Sequence, residues 1–272
     1  MFKNKVLITL VITLSAMQLG LAQLGFSHEI GIITGPVAFQ SDFGERNNFD
    51  TNKGNTGFGI GLVHYINFAY RADCNCYTTD NYFNDHFKLR SEISYNTTKL
   101  NHFGEWVKDA RTSDNADRLR GHSGKASNFD VGMQLEWFPL SIRSFQSFSP
   151  KFAPFVSLGA HFVSFNPSVE TTYVSSGTPN DIGNIDANNN FYSLWSQPGF
   201  KDPISVDSGS TFSVVGSIGT RYKLNVLADL MIDLRWQYYF SDDVDGLNHD
   251  YKSNKNNDWL VWLNFGYIYY LD

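Results

Sequence analysis

Asn128-Phe-Asp-Val-Gly-Met-Gln-Leu-Glu-Trp137 decides the fold of this 272-residue chain. Phe129, Val131, Met133, Leu135 and Trp137 fall on one face of an extended strand. Asn128, Asp130, Gly132, Gln134 and Glu136 fall on the other. An extended backbone turns each successive side chain to the opposite face, so this period of two predicts a strand between an apolar and a polar medium. Residues 87–96 repeat the pattern, with Phe87, Leu89, Ile93 and Tyr95 against Lys88, Arg90, Glu92, Ser94 and Asn96. In 229–238, Leu230, Ile232, Leu234, Trp236 and Tyr238 oppose Asp229, Asp233, Arg235 and Gln237. In 212–222, Phe212, Val214, Ile218 and Tyr222 oppose Ser213, Ser217, Gly219 and Arg221. Looser alternation predicts four more strands, over about 27–38, 57–69, 152–165 and 258–271.

Eight strands of roughly 10–14 residues exceed the roughly 5–6 of an ordinary soluble strand. The gaps 39–56, 97–126, 166–210 and 241–257 are long and polar, whereas those near 70–86, 139–151 and 223–228 are shorter. Long loops at one end and short connections at the other predict an eight-stranded antiparallel outer-membrane β-barrel, long loops outside and short ones in the periplasm. Aromatics make up 16% of the chain. Tyr70, Trp137, Phe138, Trp236, Tyr238, Tyr239, Tyr267, Tyr269 and Tyr270 stand at strand ends, where two lipid–water girdles are expected. The competing all-β reading is a secreted soluble sandwich acting as a binding module. Strand length, the aromatic character of the apolar face and the strand glycines Gly57, Gly59, Gly61, Gly132, Gly159 and Gly219 count against it.

The amino terminus has the order of a secretory signal peptide. Lys3 and Lys5 precede an apolar run from Val6 to Leu14, and Gly20-Leu21-Ala22 offers small residues before Gln23. Ser15 and Gln18 interrupt the run before the roughly 20 residues of a membrane-spanning helix. The expected division is a signal peptide over 1–22 and a barrel domain over 23–272. Removing two lysines and no acids takes the formal charge from −6 to −8. An acidic chain without basic clusters is not expected to bind nucleic acid.

With apolar faces toward lipid, Lys88, Arg90, Arg221 and Arg235 point inward with Glu92, Asp130, Glu136 and Asp233. About eight strands enclose an interior just filled by side chains, so these residues are expected to neutralise one another as a plug. The rival reading is a narrow channel, or a lipid-acting enzyme around His161, which is expected inward near Ser157 and Ser164. No acidic partner stands in an obvious register with His161, and Gly-x-Ser-x-Gly is absent. No catalytic, cofactor or metal site is expected. Asp243-Val244-Asp245-Gly246 resembles part of a calcium loop, but Ser241 stands at the first ligand position and Lys252 at the twelfth. Asn180–Asn190 is rich in oxygen ligands without the spacing. Gly57-Phe58-Gly59-Ile60-Gly61 lies within a strand, so it reads as lumen face rather than phosphate cradle. Cys74 and Cys76, in the connection expected in the periplasm, form a candidate redox or structural pair. Two thiols alone do not complete a zinc site.

Phe152-Ala-Pro-Phe-Val-Ser-Leu-Gly159, continuing to Phe165-Asn166-Pro167, resembles a strand of the Bacteroidota outer-membrane barrel family that contains PorG. Gly216-Ser-Ile-Gly-Thr-Arg-Tyr-Lys-Leu-Asn225 and Asp233-Leu-Arg-Trp-Gln-Tyr-Tyr-Phe-Ser-Asp-Asp-Val-Asp245 resemble a later region of it, and His28-Glu29-Ile30-Gly31 its first strand. The resemblance covers about half of the mature chain. The Cys-x-Cys connection and the long 166–210 loop depart from the family pattern. It implies a non-enzymatic anchor or accessory scaffold of type IX protein secretion or gliding motility, holding periplasmic partners beneath the outer membrane. Segments 70–86 and 166–210 are the expected contact surfaces.

Overall fold

The computed structural model describes residues 26–45, 48–69, 81–173, 191–192, 203–248, 254 and 257–271. The signal peptide, Tyr70, Cys74, Cys76, Asn180–Asn190 and Lys252 lie outside the described residues.

The strands are β1 (Ser27–Gln40), β2 (Thr56–Asn67), β3 (Phe87–Asn101), β4 (His122–Trp137), β5 (Phe152–Phe165), the short β6 (Ser168–Thr171), β7 (Gly209–Asn225), β8 (Ala228–Tyr239) and β9 (Trp259–Tyr270). Each long strand pairs antiparallel with its neighbours in the order β3-β2-β1-β9-β8-β7-β5-β4, and β3–β4 pairing closes the ring. The eight long strands match the expected segments, and closure excludes the sandwich.

Register gives the ring its shape. Starting at Tyr269 on β9, the pairings lead through Ile30, His64, Ser91, Met133, Ala160, Val214 and Tyr238. They return to β9 at Trp259, ten residues from the start. That stagger tilts the strands by roughly 35–45° and leaves an interior that side chains fill.

The outer surface carries the apolar face. Ile32, Leu62, Ile93, Met133, Leu158, Ile218, Leu234 and Phe265 are all exposed there, while the alternate positions are buried inside. Closure leaves the ring without a free edge, the condition for strands to cross hydrocarbon, and the β1–β9 ladder is interrupted only at Gly35 and Pro36. The chain is an outer-membrane β-barrel, and among the described residues no helix is long and apolar enough to cross a membrane.

Two features escaped the sequence reading. Strands β3 and β4 continue beyond the lipid belt, where exposed Lys99 and Lys125 pair outward and β6 joins the edge of β4. Polar outward residues hide that extension from a search for apolar alternation. Short helices also occur in the connections: α1 (Phe49–Asn52), α2 (Tyr82–His86), α3 (Asp114–Gly121) and α4 (Ile142–Gln146). They are too short to show a helical period. Ser113 and Ser141 start α3 and α4 by accepting the Ala116 and Ser144 amide hydrogens.

The girdle expectation needs correction at three positions. Trp137, Trp236, Tyr238, Tyr267 and Tyr269 do face outward, but Phe138, Tyr239 and Tyr270 are buried. Each follows an outward aromatic directly, and adjacent strand residues cannot share a face. Phe138, Phe145 and Phe155 pack at the short-connection end of the interior, while Phe39 and Tyr239 stack at the loop end with ring centroids 5.9 Å apart.

Candidate functional site: the barrel interior

All eight charged residues expected in the lumen are buried there. Three more join them. Glu29 comes from β1, the least regular of the expected strands; Lys223 and Asp229 flank the β7–β8 turn. The described inward strand faces thus carry six buried carboxylates (Glu29, Glu92, Asp130, Glu136, Asp229, Asp233) and five buried cations (Lys88, Arg90, Arg221, Lys223, Arg235).

Near the short connections, Glu29 takes Lys88 Nζ on one oxygen and Arg221 Nη1 on the other, both at 2.5 Å. Arg221 Nη2 reaches Glu136 Oε2 at 3.1 Å, and Lys223 Nζ reaches Asp229 Oδ1 at 3.2 Å. Aromatic faces solvate these cations in place of water: Arg221 lies 4.1 Å from the Tyr65 ring centroid, and Lys223 3.9 Å from that of Tyr270. Tyr270 also donates its hydroxyl hydrogen to Asp229.

In the next layer, Arg235 forks onto Glu92 with two 2.6 Å bonds. Arg90 Nη2 lies 2.7 Å from the same carboxylate, and its Nη1 donates to Asp233 Oδ2 at 3.1 Å. Asn264 donates to the other Asp233 oxygen at 2.7 Å. Toward the loops amides replace cations, and Asp130 accepts from Gln237 Nε2 at 2.5 Å and Asn96 Nδ2 at 3.3 Å.

A water-sized sphere resting on any of these side chains would leave it exposed, yet every one of the eleven charged residues is at most 2% exposed. At the level of Arg90 and Arg221 the interior is therefore solid. It is a packed electrostatic core, as expected from its strand number.

His161 does face inward, and Gly132, its cross-strand partner, makes room for the ring. An acid does stand near it: Nδ1 lies 3.8 Å from Asp130 Oδ1, reached diagonally across the β4–β5 pair, which residue spacing alone could not reveal. Ser164 is on the outward face, because it stands three positions, an odd number, after His161. Ser157 shares the interior but donates its hydroxyl hydrogen to Gln134 Oε1 at 2.9 Å, while Gln134 Nε2 lies 3.2 Å from His161 Nε2. Gln134 thus stands between hydroxyl and imidazole, an arrangement of packing rather than of nucleophile and base.

At the loop end, Asp42, Asp242 and Asp258 each bring one carboxylate oxygen within 4.8 Å of the others. In the calcium-like stretch, Asp245 accepts the amide hydrogens of Asp42 (2.7 Å) and Leu247 (2.8 Å), and Asp243 accepts from Asn248 Nδ2 at 2.9 Å. These carboxylates fold the 241–248 loop onto the barrel mouth. Beside them Phe43, His102 and His122 cluster with ring centroids 5.2–6.0 Å apart, the two imidazoles stacked and Phe43 tilted against both, a grouping no local motif announces.

No protein-family model and no curated protein matches the sequence. Among solved structures, a major outer membrane protein from Thermus thermophilus is 11% identical, with a TM-score of 0.44 over 90% of this chain and 99% of that one. OprG from Pseudomonas aeruginosa is 12% identical, with a TM-score of 0.40 over 90% and 97%. Neisserial surface protein A is 11% identical, with a TM-score of 0.40 over 89% and 96%. The closed ring of strand pairings, rather than these distant likenesses, establishes the fold.

Proposed function

We propose that this chain is a non-enzymatic outer-membrane anchor, an accessory scaffold of type IX protein secretion or gliding motility related to the Bacteroidota barrel family that contains PorG. The observation that carries the reading is the solid interior: with Arg90, Arg221 and Arg235 locked between carboxylates and no measurable solvent contact, transport through the barrel has no path. What remains to do work is the two ends. The periplasmic connection 70–86, which contains Cys74 and Cys76 and ends in α2, is the surface for periplasmic partners. The outer loop 166–210 is the second surface, and the bilayer is the third partner.

Affinity purification from native membranes, paired with deletion of the gene, tests this reading. Periplasmic secretion or motility proteins should co-purify, and deletion should abolish protein secretion or surface spreading. A barrel that purifies alone, from cells whose deletion mutant secretes and moves normally, overturns it.

A further inference from the structure

Apart from scattered hydroxyls such as Thr34 and Thr220, the outward strand faces are apolar through the lipid belt, with one pair of imidazoles among them. His28 on β1 and His64 on β2 are the only imidazoles on the outward strand faces among the described residues. Their rings stack within 17° of parallel at a centroid distance of 5.2 Å, with His28 Nδ1 3.0 Å from His64 Nε2. Ser91, the cross-strand partner of His64, extends the polar spot onto β3.

The pair sits at a defined depth. The His28 carbonyl accepts the Leu271 amide hydrogen where β1 and the chain end meet. Phe26, Phe68, Phe83 and Phe87 form a run of ring contacts of 4.8–5.4 Å at the same end of the barrel, an interfacial aromatic belt at headgroup level. A groove of about 750 Å³ crosses the outer wall from β9 to β4, passing His64 and Ser91. Ile30, Ile32, Leu62, Ile93, Tyr267 and Tyr269 line it, and its surface is almost wholly apolar. Its volume falls in the roughly 300–1,000 Å³ range of small-ligand sites. Because the groove opens into the belt that hydrocarbon covers, its occupant comes from the membrane.

We propose that this face holds one phospholipid of the periplasmic leaflet, an acyl chain in the groove and the phosphate on the imidazole pair. With His28 Nδ1–H donating, His64 Nε2 accepts and its Nδ1 carries the remaining hydrogen, a donor for a phosphate oxygen. The Ser91 hydroxyl supplies another. A hydrogen bond to a charged oxygen is worth about 1.5–3 kcal/mol, or roughly tenfold or more in affinity.

The test is native mass spectrometry of the purified barrel in detergent, with phosphatidylglycerol or a diacylglycerol of identical chains added. One phosphatidylglycerol should be retained per barrel, at least about tenfold more tightly than the diacylglycerol. The double variant His28→Ala, His64→Ala should lose most of the preference for phosphatidylglycerol, leaving only what the Ser91 hydroxyl gives. Ser91→Trp, which fills the groove from the lipid side, should lower retention of both. Heat-modifiable gel migration reports folding of each variant. Equal retention of the two lipids by the wild type, absence of a retained lipid, retention unchanged in the variants, or a second copy of the chain on the groove would each overturn the proposal.

Discussion

Arg235 and Glu92 meet across the barrel interior in a two-bond fork, Nη1 to Oε1 and Nη2 to Oε2, both at 2.6 Å, with neither side chain exposed. The strands that carry them, β8 and β3, are not neighbours in the ring, so the pair ties opposite walls. Removing Glu92 strands Arg235 in a site without water, whereas removing Arg235 leaves Glu92 on Arg90. Glu92→Leu alone should therefore cost about 3–5 kcal/mol and Arg235→Met less, and the double variant, in which Arg90 keeps Asp233, should be more stable than Glu92→Leu alone. Denaturant midpoints in lipid vesicles, read by heat-modifiable migration, measure this. A double variant as unstable as the two single ones summed would show that the pair is not an energetic unit.

Gly59 faces inward directly against the Trp262 indole, and a Cβ there would stand 2.3 Å from Cζ2 of that ring. Trp262 is fully buried and stacks under the Arg235 guanidinium, whose carbon is 4.8 Å from the ring centroid. Gly59→Ala thus pushes a rigid ring into the charge network and should destabilise the barrel by about 1–3 kcal/mol. Trp262→Leu should relieve most of that overlap while losing packing of its own. The non-additivity of the two changes, measured in a double-mutant cycle of unfolding midpoints, is the expected signature.

On the outside, Leu234 lies mid-strand between the outward residues Ile218 and Leu263. Leu234→Arg should cost about 2–4 kcal/mol in vesicles, because a cation at the bilayer midplane has neither water nor a partner. Lys99→Ala, on the extension above the belt, should change stability by less than about 0.5 kcal/mol. Equal sensitivity at the two positions would remove the distinction between a lipid belt and a wetted extension.

Strand positions and facing were readable because lipid outside and packed charge inside impose opposite chemistries on alternating residues. Phe129–Trp137 shows that in nine residues. What alternation does not contain is register. It says that Asp130 and His161 both point inward, and only the pairing of Gly132 with His161 brings them to 3.8 Å. Chain ends of strands were misread for a related reason: Trp137-Phe138, Tyr238-Tyr239 and Tyr269-Tyr270 look like girdle doublets, yet one member of each turns inward. Glu29 escaped the lumen inventory because Gly31 and Gly35 thin the pattern of β1. His28 and His64 escaped because one polar residue in an apolar row looks like noise until its neighbour across the pair is known.

The His161–Gly132 contact separates structure from chemistry in the interior. The ring occupies the space of an absent side chain, since a Cβ on Gly132 would lie 2.1 Å from His161 Cδ2. His161→Ala should leave a cavity and cost about 2 kcal/mol, and Gly132→Ala alone should overpack by about 1–3 kcal/mol. Trimming the ring removes only part of the overlap, because the same Cβ would also stand 2.5 Å from the Ala160 carbonyl oxygen, so the double variant should be more stable than Gly132→Ala but not more stable than His161→Ala. If the interior only holds the barrel shut, cells carrying the double variant at wild-type levels should secrete and spread normally. A double variant that folds, reaches the membrane in full amount and still loses those activities would place the imidazole itself in the function.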